Sequence, residues 1–236
     1  MATTKSFALS QDQANSGGAV PPFAAGKNRI INGDFGINQR NFTTASTDGT
    51  FGFDRWLIYG TGGTRTWTSQ TFTPGTAPVA GYEGTNFSRL VTSGQSAAGD
   101  YFLLGQRIED VRTFANQTVT CSFWAKASSG TPKVAVATDQ SFGSGGSATV
   151  TTAGGNVTIS TSWARYSVTF TIPSVSGKTI GAGSNCGLLL FTSAGSSLSA
   201  YTNIGVQNAT IDIWGVQLEA GSVATPFTTA TGTIQG

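Results

Sequence analysis

The chain has 236 residues, a formal net charge of +2, and only 10% charged residues against 38% hydrophobic ones. With 15 Phe and 5 Trp it can build a packed core, so charge-driven disorder of the whole chain is excluded. Because the charge is near neutral and no Lys/Arg cluster occurs, we expect no nucleic-acid partner. No apolar run reaches membrane-spanning length, so we expect no membrane insertion either.

Residues 1–27 differ in composition from the rest of the chain. They are polar, and a Gly-Gly and a Pro-Pro pair interrupt them, so they cannot bury enough apolar surface to fold alone. Two interpretations remain: a disordered tail, or an extended arm that becomes ordered against a partner, with Phe7, Leu9 and Phe23 as anchors. The segment also lacks the apolar core of a secretion signal, so we expect synthesis and assembly in a cytoplasm.

From residue 28 onward, short apolar runs alternate with turn clusters, the pattern typical of a β sandwich or barrel. The abundance of Gly, Ser, Thr and Val disfavours helix. One sandwich can fill this length, so we predict a single all-β domain over 28–236. The predicted strands are 28–35, 53–59, 64–72, 86–92, 100–108, 117–126, 132–138, 147–151, 156–159, 163–172, 186–193 and 207–218.

Two of these strands, 117–126 and 163–172, carry apolar residues at every second position. Such alternation predicts that one face of the strand is buried and the other is wet. Cys121 lies on the apolar face of the first, and we interpret it and Cys186 as buried free thiols. The segment 141–155 is rich in glycine and predicts a loop or a mobile hairpin.

The last predicted strand changes phase along its length. Ile211 and Ile213 share one face by simple alternation. Val216 and Leu218 reach that same face only if the strand contains one extra residue. Gly215 lies where this extra residue is needed, so we predict a β-bulge there.

The residues that most enzymes use for catalysis are scarce. The chain has no histidine, which excludes Ser-His-Asp and Cys-His catalysis and histidine-bound metals. Two distant cysteines do not make a zinc site. A glycosidase needs two carboxyl groups about 5–9.5 Å apart, and the sequence alone does not show whether any two carboxylates of the chain converge in this way. We therefore predict a protein that is not an enzyme.

Aromatic residues offer a binding function instead, because sugar rings stack on exposed aromatic side chains. Tyr59 and Trp67 flank the glycine-rich turn 60–63, while Tyr82 and Tyr201 lie in turn-rich segments. These four are our candidates for contacts with a glycan. The alternative is that an aromatic side chain in a strand belongs to the core. Four tryptophans in strong strand patterns are assigned to packing or subunit contacts: Trp56, Trp124, Trp163 and Trp214.

Four segments together resemble a known family. They are NRIINGDF at 28–35, FDRW at 53–56, CSFWAK at 121–126 and IDIWGVQLE at 211–219, the last followed by ATPF. In this order they are similar to the carbohydrate-binding-module-like jelly roll of bacteriophage and prophage virion proteins, notably tail fibres and capsid-decorating proteins. The resemblance implies an all-β jelly-roll β-sandwich with an extended N-terminal arm, in which the first and last strands pair.

The resemblance also bears on a metal. Related modules often hold a structural calcium ion between the first and last strands, using an acidic residue after the first Phe. Gly36 stands at that position here. Asp34 and Asp212 remain as possible oxygen ligands, and no other cofactor is expected.

For function, the resemblance implies a non-enzymatic virion structural protein, a short fibre, tail appendage or capsid decoration, anchored by the arm 1–27. It would be located in the virion, form a homo-oligomer, expected to be a trimer, and contact other capsid or tail proteins. The alternative is a receptor-binding module for a glycan of the host surface. A polysaccharide depolymerase is the third hypothesis.

Overall fold

Two antiparallel β-sheets pack face to face in the computed structural model, which describes residues 28–228. The predicted arm and its anchors Phe7, Leu9 and Phe23 lie outside the described residues. Within that range no helix is long and apolar enough to span a membrane. The strands are β1 Thr44–Ala45, β2 Trp56–Thr61, β3 Thr64–Thr71, β4 Asn86–Ser93, β5 Tyr101–Ile108, β6 Gln117–Ala127, β7 Lys133–Ser141, β8 Val150–Thr158, β9 Ala164–Ile172, β10 Asn185–Ala194 and β11 Ala209–Ala220, with a 3₁₀ helix at Ser196–Leu198.

The six-stranded sheet has the order β1-β3-β4-β11-β6-β9, and the five-stranded sheet has the order β2-β5-β10-β7-β8. This architecture confirms the predicted all-β sandwich. The predicted strands 147–151 and 156–159 are replaced by one strand, β8, which runs without a break from Val150 to Thr158. Gly155 has a positive φ of 122° there, and the pairing with β7 shifts between Val136 and Ala137. The glycines therefore mark an irregularity within a strand and not a break between strands.

The core lies between the two sheets, as the alternating patterns predict. Val119 and Phe123 of β6 are fully buried on the face that meets the five-stranded sheet. Cys121 lies between them in the same row, and both it and Cys186 are buried free thiols, which confirms the prediction. Burial raises the pKa of both thiols, so they remain protonated and behave as small apolar side chains.

The outer face of β6, predicted to be wet, is covered, and that expectation is wrong. Ser122 is fully buried and Trp124 is 9% exposed. Residues 221–228, which we call the C-terminal strap, fold back over this face. The ring of Phe227 in the strap lies 4.7 Å from that of Trp214 and 5.6 Å from that of Trp124. The strap is distant from β6 in sequence, so its contacts bury an outer face that the local alternation pattern predicts to be exposed.

Polar contacts hold the same strap in place. The hydroxyl and the amide of Thr225 donate to the fully buried carboxylate of Glu219. Arg165 donates to the carbonyl oxygen of Thr225, and the amide of Thr228 donates to Gln217 Oε1 at 3.0 Å. A buried carboxylate is costly unless hydrogen-bonded, so the strap and the strand beneath it stabilise each other.

The predicted first strand, 28–35, does lie beside β11, but it is not a strand. The amide of Arg29 donates to the carbonyl of Leu218 at 3.0 Å, which brings the segment alongside the last strand as predicted. Asn32 and Phe35 have positive φ angles of 56° and 55°. These conformations interrupt the regular hydrogen-bond pattern of a strand, so the segment packs beside β11 as irregular backbone.

The predicted bulge at Gly215 is confirmed. Pairing of β11 with β6 shifts between Trp214 and Gln217, and Gly215 has a φ of 63°. A Cβ atom at this position would lie 2.7 Å from the ring of Trp124. Both the backbone conformation and the space above it therefore require glycine.

Gly215→Ala should lower the free energy of unfolding by about 2 kcal/mol, because it combines a strained φ with a clash. Urea denaturation followed by tryptophan fluorescence measures this. The control is Gly99→Ala, where no atom lies within 4 Å of the added Cβ; it should change stability by less than about 0.5 kcal/mol. Equal stability of the two variants would contradict the bulge as described.

Phe227→Ala should lower the free energy of unfolding by about 2 kcal/mol, because it removes a half-buried ring from between Trp124 and Trp214. The control is Val223→Ala in the same strap, since Val223 is 72% exposed. Thermal denaturation should separate the two variants clearly. If Phe227→Ala were as stable as its control, the strap would not be docked as described.

Candidate functional site

A groove of about 500 Å³ lies on the outer face of the five-stranded sheet. It forms because side chains alternate along the central strands: Leu104 and Leu188 point into the core, so their neighbours in sequence point outward. Its lining combines apolar, hydroxyl, amide and charged groups: Leu57, Tyr59, Gly105, Gln106, Arg107, Asp139, Ser141, Gly143, Ser144, Thr149, Ala182, Gly183, Asn185, Gly187 and Leu189.

One row of residues across three strands shapes this groove. Gly187 of β10 pairs with Arg107 of β5 on one side and with Asp139 of β7 on the other. Arg107 and Asp139 are thus two strand spacings apart, or roughly 10 Å between their Cα atoms. Because Gly187 has no side chain, the row forms a floor between two charged walls.

Arg107 and Tyr59 form one wall of the groove. The guanidinium group of Arg107 donates to the hydroxyl oxygen of Tyr59 and lies 5.7 Å from the centre of its ring. A cation held over an aromatic ring and hydrogen-bonded to it loses much of its rotational freedom. This wall therefore presents N–H donors in a fixed place.

The opposite wall presents acceptors and hydroxyl groups. Thr151 Oγ1 donates to Asp139 Oδ1 at 2.6 Å. Burial raises the pKa of the Asp139 carboxyl, while the hydrogen bond from Thr151 lowers it in part. Ser141 lies two residues further along the same strand and also lines the groove. Donors on one wall and acceptors on the other suit a ligand rich in hydroxyl groups.

Two loops close one end of the groove. Ser144 and Ala182 exchange backbone hydrogen bonds of 2.9 and 3.1 Å, which joins the loop after β7 to the loop before β10. The glycine-rich segment 141–155, predicted as a loop or a mobile hairpin, contains the loop of the β7–β8 hairpin and the first part of β8. The pinned loops give the groove a defined end wall.

Aromatic residues continue the same sheet face at the other end. The ring of Phe191 lies 6.3 Å from that of Tyr101 and 6.0 Å from that of Tyr201. Tyr59 and Tyr201, both predicted as glycan contacts, pack against the apolar cluster of this face. The structure therefore brings these two predicted residues to one surface. Tyr101 was missed, although it alternates with Leu103 on the outward side of its strand.

The other two predicted glycan contacts lie elsewhere. Trp67 is fully buried in the core, where its Nε1 donates to Ser88 Oγ at 3.1 Å, so it is not available to a glycan. Tyr82 lies on the outer side of the six-stranded sheet, 5.5 Å from the ring of Trp214, and its hydroxyl donates to Asp34. Neither lines the groove, because Trp67 lies within β3 and Tyr82 in the loop between β3 and β4, and both strands belong to the six-stranded sheet.

The predicted calcium site at Asp34 and Asp212 does not fit the structure. The two carboxylate oxygens of Asp212 accept from Arg89 at 2.7 and 2.9 Å, and Lys126 lies 3.8 Å away. Asp34 accepts a hydrogen bond from Tyr82. The charge of Asp212 is already balanced by Arg89 and Lys126, so its oxygens are not free to bind a cation. Calcium also needs six to eight oxygen ligands, far more than two carboxyl groups supply. Among residues 28–228 no group of three or more His, Cys, Asp or Glu converges on a point.

Asp212→Asn should lower the free energy of unfolding by about 2 kcal/mol, less than a fully buried pair would lose, because Arg89 is partly exposed. The wild-type melting temperature should be the same in millimolar calcium and in excess chelator. Differential scanning fluorimetry measures both effects. A melting temperature raised several degrees by calcium would restore the metal site.

The chain is similar to a known family whose description agrees with the chemistry of the groove. Residues 37–181 match the family CBM_4_9, described as a carbohydrate binding domain. Because the match extends over more than half of the sequence, the chain belongs to this carbohydrate-binding domain family. Domains of this kind are non-catalytic binding modules, although many are parts of enzymes. A search of curated protein sequences found no match.

Several solved structures are similar to this chain at low sequence identity, and one of them superposes with a TM-score above 0.5. A candidate sugar-binding protein from Bacteroides thetaiotaomicron superposes with a TM-score of 0.51 at 15% identity, covering 82% of this chain and 100% of the other. The enzymatically active domain of tailspike protein 4 of bacteriophage CBA120 has a TM-score of 0.45 at 16% identity, covering 83% of this chain but only 22% of that one. A family 11 carbohydrate-binding module from Clostridium thermocellum, in complex with a β-1,3-1,4-mixed-linked tetrasaccharide, has a TM-score of 0.43 at 12% identity, covering 78% and 99%.

Proposed function

We propose that the protein is a glycan-binding module and that the groove on the five-stranded sheet is its binding surface. The observation that carries this proposal is the row Arg107–Gly187–Asp139, an open floor between a donor wall and an acceptor wall. Membership of a carbohydrate-binding family supports it independently of the geometry.

The groove offers both kinds of contact that a sugar needs. The partly exposed Leu189 provides apolar surface for the C–H face of a sugar ring. Arg107 donates hydrogen bonds to ring substituents, while Asp139 accepts them from hydroxyl groups. Ligand sites generally combine an apolar lining with a few well-placed polar groups in this way.

The ends of the described domain lie away from this groove. Asn28 Nδ2 donates to the carbonyl oxygen of Thr228 at 3.2 Å, so residues 28 and 228 meet beside β11 of the six-stranded sheet. The groove is on the opposite sheet. This arrangement suits a domain that is held on one side and binds its ligand on the other.

A place in a bacteriophage virion is the second part of the proposal, and it rests on the four sequence segments that resemble virion proteins. In that setting the glycan would belong to the host surface, the arm 1–27 would contact capsid or tail proteins, and the domain would form a homo-oligomer, expected to be a trimer. Family membership supports carbohydrate binding more directly than a purely structural virion role. No observation favours a depolymerase.

Gly187→Val should weaken glycan binding strongly, because its methyl groups would fill the groove floor. A Cβ at Gly187 meets its nearest neighbours at 3.8 Å, so the strand should tolerate the change. The control is Ser167→Val, an exposed position in β9 of the other sheet. The wild type is screened on an array of bacterial and plant polysaccharides, and the strongest binder is then titrated calorimetrically into all three proteins.

We expect at least a tenfold loss of affinity for Gly187→Val and none for Ser167→Val. A wild type that binds no polysaccharide would overturn the proposed function. Binding that survives Gly187→Val unchanged would place the glycan site elsewhere on the molecule.

A further inference from the structure

We propose that the groove selects an acidic glycan, with the carboxylate of one sugar residue paired to Arg107 and the sugar hydroxyls facing Asp139. This inference rests on the proposed function and deepens it by naming the chemical class of the ligand.

The first reason is that Arg107 has no carboxylate partner. Among residues 28–228, no Asp or Glu oxygen lies within 4.0 Å of its guanidinium group, although Arg107 is exposed at the groove. Four other arginines of the domain are paired with carboxylates: Arg40 with Asp54, Arg55 with Glu109, Arg89 with Asp212 and Arg112 with Asp110. Arg65 and Arg165 donate to the carbonyl oxygens of Gly62 and Thr225, and neither of them lines the groove. Arg107 is instead held by an uncharged phenol, so its charge remains available to a ligand.

The second reason is that Arg107 is held in position before any ligand arrives. The hydrogen bond to Tyr59 uses one N–H of the guanidinium, whose central carbon lies 5.7 Å from the centre of the ring. A guanidinium group has five N–H donors in a planar fork that matches the two oxygens of a carboxylate. Pre-positioning lowers the entropy lost when a ligand carboxylate binds, which favours this group over a mobile surface lysine.

The third reason is the space between the two walls. A Cβ at Gly187 would make only ordinary van der Waals contacts, the nearest at 3.8 Å to Asp139, so no side chain occupies the position directly above this residue. The roughly 10 Å between the Cα atoms of Arg107 and Asp139 leaves room for one pyranose ring between the side chains. A carboxylate attached to that ring can thus reach Arg107 while the ring rests over Gly187.

Asp139 determines the orientation in which an acidic sugar binds in the groove. Its carboxyl group lies outside ion-pair distance of Arg107 and is hydrogen-bonded by Thr151. Its negative charge repels a carboxylate but accepts hydrogen bonds from hydroxyl groups. An acidic sugar is therefore expected to bind with its carboxylate toward β5 and its hydroxyls toward β7.

The experiment compares acidic polysaccharides with their neutral counterparts. An array carries uronate-containing bacterial and plant polysaccharides, each beside the same polymer whose carboxyl groups have been reduced to primary alcohols. The best acidic binder, as a short oligosaccharide, is then titrated by calorimetry into the wild type, Arg107→Gln, Arg107→Lys and the control Arg40→Gln. Circular dichroism confirms that each variant is folded.

The wild type should bind the acidic oligosaccharide about 10- to 100-fold more tightly than its reduced counterpart, as expected for a charge-assisted hydrogen-bonded pair. Arg107→Gln should lose this preference, Arg107→Lys should keep part of it, and Arg40→Gln should keep all of it. High salt should weaken the preference.

Equal affinity for acidic and reduced glycans, or binding of neutral glycans only, would overturn the acidic selectivity and leave the proposed function standing. Binding of no glycan at all would overturn both. A preference for acidic glycan that persists in Arg107→Gln would assign the selectivity to another residue and overturn the inference.

Discussion

The alternation of side chains in β5 and β10 is the constraint on which both the core and the groove depend. Leu104 and Leu188 fill the space between the sheets, and the residues next to them in sequence necessarily face outward. Gly105 and Gly187 are the outward residues at the centre of the groove. Because a shift of one residue would exchange the two faces, the packing that stabilises the sandwich also fixes the shape of the proposed binding surface.

The two sheets differ in what covers their outer faces. On the six-stranded sheet, the C-terminal strap places Phe227 against Trp124 and Trp214, and the buried Glu219 accepts hydrogen bonds from the strap. On the five-stranded sheet, the groove stays open between Arg107 and Asp139. Aromatic and polar side chains of the six-stranded sheet are therefore covered by the strap, whereas those of the five-stranded sheet remain accessible to a ligand.

Local patterns in the sequence were enough to predict most of the strands, the buried face of β6 and the bulge at Gly215, because each depends on neighbouring residues. They failed at 28–35, which is not a strand, and at β8, which was predicted as two strands. The groove was not predictable in the same way. Arg107 and Asp139 are brought into one row only by the pairing of β5 and β7 with β10, and sequence alternation does not show which strands are neighbours. Trp67 was misplaced for a related reason, since only its partner Ser88 in the adjacent strand reveals that it faces the core.

The central claim is that a glycan binds the outer face of the five-stranded sheet. Backbone amide NMR of the isotope-labelled protein, titrated with the strongest-binding oligosaccharide from an array, tests it most directly. The account predicts that shift changes concentrate in residues 57–59, 105–107, 139–144 and 182–189. Changes concentrated instead in residues 163–169 and 221–228, on the outer side of the six-stranded sheet, would contradict it.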